Sequence, residues 1–174
     1  MALAAALGMM ITLAGPSVPS TADLPLEAAV KASFIYRFAP FVQWPESAFD
    51  GPNDPLIICL VGHDPFGRIL DDAVRGQQIN GRPVSVRRIS GIKPEPACHI
   101  LFASGGEDSQ EMLQMVANQP VLTVTDENSG LTGGIIHFVT IGDRLRFTID
   151  QSSAQQSGIA ISSKLLGLAV NVTR

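Results

Sequence analysis

Large apolar residues near the start of the chain recur every four positions, as they do on one face of a helix. The pattern runs from 24 to 44 and predicts a helix there. Pro40 lies inside this stretch. Because proline cannot donate a backbone hydrogen bond and clashes with the preceding turn, we expect a kink or break around 36–39. The residues that carry the pattern are Val30, Phe34, Phe38 and Val42.

Further along the chain, short apolar runs alternate with amphipathic segments. Residues 133–150 alternate around Gly142-Asp143, which predicts a hairpin. Two short helices separated near Gly158 follow it, and Ser162 is the expected N-cap of the second. The other predicted strands are 56–61, 83–89, 98–103 and 120–126, and the helices among them are 65–75 and 108–118.

The alternation of strands and helices predicts an α/β fold. We expect a single domain with a mostly parallel mixed sheet, helices on both faces and a C-terminal antiparallel hairpin. The chain has 174 residues, of which 45% are hydrophobic, which suits one domain with a substantial core. The sequence contains no linker, repeat or low-complexity segment that would divide it.

The first 22 residues contain no charged side chain. An apolar stretch is followed by small residues and prolines, and Ser20 and Ala22 fit the −3 and −1 positions of a signal-peptidase site. We therefore expect residues 1–22 to be a signal peptide and residues 23–174 to form the exported domain. The basic residues that usually open a signal peptide are missing, so a buried N-terminal helix is the alternative.

The stretch VGHDPFGRIL, residues 61–70, has the glycine spacing of a phosphate-binding loop but not its chemistry. Arg68 and Ile69 stand where a P-loop has Lys and then Ser or Thr. Pro65 lacks an amide hydrogen, and Asp64 would repel a phosphate. We therefore expect Asp64 to be a helix N-cap and Pro65 the first helical residue.

Charge and ligand chemistry exclude several classes of function. The formal charge of −4 gives no basic surface for nucleic acid, and Arg87 and Arg88 point to opposite faces of a strand. The three histidines are scattered without metal-ligand spacing, so no metal is expected. No cofactor motif is present either.

Three predicted loops follow the carboxyl ends of strands, where open α/β sheets tend to hold ligands. Loops 62–65, 104–108 and 126–130 are rich in Gly, Asp and Ser. A small-molecule crevice is one interpretation, and ordinary strand-to-helix turns, which need the same residues, are the other. The candidate ligand-binding residues are His63, Asp64, Asp126 and Glu127.

No catalytic constellation stands out, so we expect no enzyme activity and assign no catalytic residue. Ser104 precedes two glycines at the end of a strand. A hydrolase would need it beside Asp126 and a histidine, but the sequence assigns no such relay.

Two features indicate other roles. Cys59 and Cys98 each lie in an apolar run that predicts a strand, and they are compatible with either a bridge or two buried thiols.

The stretch FIYRFAPFVQW, residues 34–44, is dense in aromatic residues, most of which belong in a core. Tyr36, Phe41 and Trp44 are the ones we expect to face a partner.

Taken in order, seven segments resemble the YfiR family of periplasmic proteins over roughly residues 28–170. The first, KASFIYRFAPFVQWPESAF, carries the Phe-x-x-Phe-x-x-Trp-Pro ending of the family's opening helix, here from Phe38 to Pro45. The other segments are LVGHDPFG, INGRPVSVRRI, CHILFAS, VLTVTDE, GGIIHFV with LRFTID, and SGIAISSKLLGLA.

The resemblance implies a periplasmic repressor that binds the sensor domain of an inner-membrane diguanylate cyclase. Repression would lower cyclic di-GMP and biofilm formation. An outer-membrane lipoprotein that sequesters the repressor would relieve this repression. Members of the family can also form homodimers. The resemblance also pairs Cys59 with Cys98 and implies a redox-responsive disulfide. The family's second cysteine pair is absent here. A periplasmic small-ligand sensor acting on another membrane receptor is the alternative.

Overall fold

The structure is a computed structural model that describes residues 23–90 and 98–174. The expected signal peptide, residues 1–22, and the loop at 91–97 lie outside the described residues. The helices are α1 (Asp23–Phe38), α2 (Arg68–Val74), α3 (Glu107–Val116), α4 (Gln151–Gln156) and α5 (Ser163–Leu166). The strands are β1 (Val42–Gln43), β2 (Leu56–Gly62), β3 (Gln78–Ile79), β4 (Arg82–Ile89), β5 (Ile100–Ser104), β6 (Leu122–Asp126), β7 (Ile136–Ile141), β8 (Arg144–Asp150), β9 (Ala160–Ile161) and β10 (Asn171–Thr173).

The main sheet has eight strands in the order β10-β8-β7-β6-β5-β2-β4-β3. The central strands from β4 to β7 are parallel, whereas β7 and β8 form an antiparallel hairpin. Strands β1 and β9 pair separately as a small antiparallel sheet. The predicted α/β fold with a mostly parallel sheet and a late hairpin is confirmed.

Both faces of the sheet are covered, as predicted. On one face of the sheet, called the α1 face, side chains such as Ile58, Phe102 and Phe138 pack against α1, α2, α4 and α5. The other face carries a smaller cluster around Ile57 and Leu101, which packs against α3. Alternate side chains of one strand therefore enter different cores, as the pleat requires.

The break predicted at Pro40 is confirmed. Helix α1 ends at Phe38 and a 3₁₀ turn over Ala39–Phe41 follows, with Pro40 near its start. Val42 continues the helical spacing in sequence but lies in β1, paired with Ile161. It is still buried in the core of the α1 face, because the 3₁₀ turn keeps the chain close to that core.

The prediction for the start of the second helix is wrong. Asp64 accepts hydrogen bonds from the amides of Phe66 and Gly67, at 2.8 and 3.1 Å, and so closes a turn. Gly67 has φ +49°, which is not helical, and α2 begins only at Arg68. Asp64 therefore stabilises the turn before the helix rather than capping the helix itself.

Candidate functional site

The loop after β2 is held by an ion-pair network with β4 and α2. Arg88 Nε donates to Asp64 at 2.7 Å, and both terminal nitrogens of Arg88 reach Asp71. Arg88 also donates to the carbonyl of Gly67 at 2.6 Å. Hydrogen bonds with Asp71, and to a smaller extent with Asp64, raise the pKa of Arg88. The hydrogen bond from Arg88 in turn lowers the pKa of Asp71. Asp64 is thus engaged in holding the loop.

Strand β2 ends at Gly62, where the backbone lies close to the carbonyl groups of Ser104 and Gly105. Its φ is +84°, and a Cβ there would lie 2.2 Å from the carbonyl oxygens of Ser104 and Gly105. No side chain fits without moving one of these two backbone groups. The first glycine of the stretch is therefore required by packing against β5 and not by a phosphate.

We expect Gly62→Ala to lower the free energy of unfolding by about 3 kcal/mol, from the positive φ and the steric clash together. Gly67→Ala is the matched control, because Gly67 also has positive φ but open space around the added Cβ. It should cost only about 1 kcal/mol. Urea unfolding of both variants measures the difference, and equal losses would show that the close approach at Gly62 does not matter.

The acidic pair after β6 is tied to α1 and β7. Lys31 of α1 forms ion pairs with Asp126 and with Glu27, and both Lys31 and Asp126 are buried. Asp126 also accepts a hydrogen bond from the amide of Asn128 at 2.9 Å. Glu127 accepts one from the amide of Thr140. Sequence reasoning missed Lys31, whose signal is its i,i+4 spacing from Glu27 on a helix.

The four candidate crevice residues fall into separate networks. Strand β5 lies between β2 and β6, so Asp64 pairs with Arg88 on one side and Asp126 with Lys31 on the other. His63 is exposed, and its amide donates to the carbonyl of Ser104 at 2.7 Å. The ligand crevice stays a prediction, which a thermal-shift screen with metabolites would test.

The arrangement of serine, histidine and acidic side chains bears on catalysis and metal binding. Across residues 23–90 and 98–174, no serine hydroxyl is hydrogen-bonded to a histidine ring. Within the part of the chain that the structure describes, no three His, Cys, Asp or Glu side chains are placed to hold a metal ion. Ser104 is buried at the end of β5.

The aromatic residues expected to face a partner lie at the end of α1 and just beyond it. Tyr36, Phe41 and Trp44 are all half-buried, each packed on its inner side against the core of the α1 face. The carbonyl of Phe41 accepts a hydrogen bond from the amide of Ser162 at 2.9 Å. The pairing of β1 with β9 therefore fixes the backbone that carries Phe41 and Trp44.

Cys59 and Cys98 form a disulfide, with their Cα atoms 5.8 Å apart. Cys59 is fully buried on β2, and Cys98 is half-buried just before β5. The parallel pairing of β2 with β5 brings the two residues together. The bridge lies on the α3 face of the sheet, where Cys59 packs with the smaller cluster.

His99, next to the disulfide, connects three segments and was not singled out from the sequence. Its Nδ1 accepts from the amide of Ile57 at 3.0 Å, and its Nε2 lies 2.9 Å from the carbonyl of Ala48. The ring stacks on Phe49 with centroids 4.1 Å apart, and Trp44 contacts both rings edge-on. The only sequence signal is a titratable residue inside an otherwise apolar run.

The chain is similar to a known protein family. The model of a protein family described as YfiR/HmsC-like matches residues 28–170. The match covers α1 from its second turn through to the segment before β10, so it includes both candidate surfaces and the disulfide. No curated protein matches the chain.

Proposed function

Because the chain belongs to the YfiR/HmsC-like family, we propose that it binds and represses the periplasmic sensor domain of an inner-membrane diguanylate cyclase. The family implies a periplasmic regulator of diguanylate cyclase signalling, and it is a regulatory, non-catalytic family. The match over residues 28–170 is the observation that carries the proposal. Repression would lower cyclic di-GMP and biofilm formation.

The architecture supports a binding role. A repressor needs a rigid domain that presents a surface, and here two packed cores, a buried ion pair and a disulfide stabilise one sheet. None of the described helices is long and apolar enough to cross a membrane.

We propose the half-buried aromatic residues at the end of α1 as the partner-binding surface. Tyr36, Phe41 and Trp44 combine a fixed backbone with exposed aromatic area, and aromatic anchors dominate the binding energy of many interfaces. Their backbone is held by α1 and by the pairing of β1 with β9. Little conformational entropy would therefore be lost when a partner binds.

Calorimetric binding of residues 23–174 to the periplasmic domain of a membrane cyclase encoded nearby tests the proposal. Tight binding supports it, and Trp44→Ala or Phe41→Ala should weaken that binding about tenfold or more. Met115→Ala is the matched control, because Met115 is an exposed apolar residue on α3, on the other side of the sheet. Absence of binding would overturn the repressor and favour the small-ligand sensor.

We further propose that the disulfide makes repression redox-responsive. Reduction would free Cys98, whose neighbour His99 contacts Ala48 and Phe49 close to Trp44. The same calorimetric experiment under reducing conditions should then give weaker binding. Unchanged cyclase repression in cells by a Cys59→Ser protein would reduce the bridge to a structural role.

Two more partners follow from the same proposal. An outer-membrane lipoprotein would sequester the repressor and so release the cyclase, and a second copy of the chain would form a homodimer. Both are proposals from the family. Light scattering of the purified protein and co-purification with the lipoprotein would test them.

A further inference from the structure

The segment of residues 44–55, here called the Trp44 segment, receives hydrogen bonds from two side chains of the sheet. His99 reaches the carbonyl of Ala48 in the first half of the segment. Arg82 of β4 donates to the carbonyls of Gly51 and Asp54, at 2.7 and 3.0 Å, in the second half. Among residues 23–90 and 98–174, the side-chain hydrogen bonds from the sheet to this segment come from these two residues, and His99 can titrate.

The hydrogen bonds of His99 require its neutral form. Nδ1 accepts from the amide of Ile57, so it carries a lone pair and no hydrogen. Nε2 faces a carbonyl, which can only accept, so Nε2 carries the hydrogen. Protonation would place a second N–H at Nδ1, pointing at the amide hydrogen of Ile57. The ring is buried, so it cannot exchange this contact for water without moving.

The charges around His99 disfavour a second positive charge. Arg82 stacks over the Phe49 ring at 3.8 Å from its centroid, and His99 stacks on the same ring at 4.1 Å. Two groups so close to one centroid must occupy opposite faces, so Phe49 lies between Arg82 and His99. Arg87 adds a second nearby cation, and Asp50 is the acidic residue that opposes them. These are the charged groups that face His99 within residues 23–90 and 98–174.

Two features lower the cost of moving the Trp44 segment away from the sheet. Trp44 Nε1 is buried and has no hydrogen-bond partner within the part of the chain that the structure describes, which costs roughly 1–3 kcal/mol relative to a hydrated indole. A cavity of about 240 Å³ lies beside it, lined by Trp44, Phe49 and Arg82 among others. Release of the segment would open this cavity and expose the indole N–H to water. The hydrogen bond to water would then offset part of the free energy lost with the broken contacts.

We propose that His99 is an acid-sensitive latch, whose protonation breaks its bond with Ile57 and releases the Trp44 segment from the sheet while the rest of the domain stays folded. The latch itself is independent of any partner. Its consequence rests on the proposed function, because Trp44 belongs to the proposed partner-binding surface. Acidification would then change partner binding through a conformational change in the free protein.

The pH range follows from the environment of the ring. Burial, and then the charges of Arg82 and Arg87, lower the pKa of His99 below its ordinary value of 6.5, against the effect of the Ala48 carbonyl. A lowered pKa means that the folded state prefers the neutral ring. The contribution of the latch is therefore complete above about pH 6.5 and is lost as the pH falls through the lower folded pKa.

Fluorescence provides a direct test, because Trp44 is the one tryptophan in the chain. We expect the emission of the wild-type protein to shift to the red, with a midpoint below pH 6.5, while far-UV circular dichroism stays constant. His99→Gln, whose amide can both accept and donate, should abolish the shift. His63→Gln and His137→Gln are matched controls that should retain it. No shift, a shift that persists in His99→Gln, or loss of circular dichroism at the same midpoint would each overturn the latch.

A second measurement does not depend on the folding of any variant. Side-chain ¹⁵N NMR of the wild-type protein reports the protonation of each histidine ring, and the indole N–H of Trp44 reports its hydration. We expect both signals to change with one midpoint, and different midpoints would overturn the coupling. Calorimetry with the cyclase domain at neutral and acidic pH is a separate arm. Failure to bind at either pH would contradict the proposed function but not the latch.

Discussion

Replacing Lys31 with methionine is expected to lower the free energy of unfolding by about 4 kcal/mol. The side chains of Lys31 and Asp126 are each only 7% exposed. Methionine keeps much of the volume but leaves the Asp126 carboxylate buried, with a hydrogen bond from the amide of Asn128 as its main compensation. A buried charge that has lost its partner strongly destabilises the fold. The intact pair, by contrast, stabilises the fold little compared with two apolar residues of similar volume. Urea unfolding followed by far-UV circular dichroism measures the loss.

An exposed ion pair is the matched control for this prediction. Arg75 and Asp72 pair with side chains 70% and 51% exposed, and Arg75→Met should cost less than about 1 kcal/mol. The double variant Lys31→Met with Asp126→Asn should recover part of the loss, because no buried charge remains. Similar losses for Lys31→Met and Arg75→Met would contradict the buried-pair argument.

The stability that Lys31 contributes should fall under alkaline conditions. Burial by itself lowers the pKa of Lys31, but its hydrogen bonds to Asp126 and Glu27 outweigh burial and raise the pKa above 10.5. The folded state therefore holds the proton more tightly than the unfolded state does. The contribution is complete below about pH 10.5 and is lost as the pH rises through the folded pKa.

Removal of the disulfide is expected to have an effect of the same size. Cys59 and Cys98 are 39 positions apart, and in the chain-entropy model a loop of this length stabilises the fold by about 4 kcal/mol. The variant with Cys59→Ala and Cys98→Ala should therefore unfold at a clearly lower urea concentration. We expect the sheet to persist, since β2 and β5 remain paired and the main core does not contain the bridge.

Reductant supplies the control for this second prediction. Dithiothreitol should destabilise the wild-type protein and leave the double alanine variant unchanged, because that variant has no bridge to break. A wild-type protein whose unfolding midpoint is the same with and without reductant would contradict a stabilising role. The comparison also separates the loss of the cross-link from the loss of the two sulfur atoms.

Local patterns predicted most of the elements, and the errors lie where long-range contacts decide the conformation. The turn at Gly142-Asp143 and the Ser162 N-cap, which accepts from the amide of Leu165, depend on neighbouring residues alone and are confirmed. The start of α2 is different, because the turn at Asp64 is stabilised by Arg88, which lies 24 positions away. Strand β1 also escaped prediction, since its partner β9 is more than a hundred positions later.

The sequence by itself determined the fold class, the family resemblance and the residues available for a bridge and for a partner surface. These follow from periodicity, turn residues and the order of segments, which are local properties of the chain. Only the tertiary structure decided which side chains meet. Lys31 contacts Asp126, and His99 contacts the Trp44 segment, because sheet order and register bring together residues that are far apart in sequence. Their chemistry depends on burial, and burial is a property of the packed molecule.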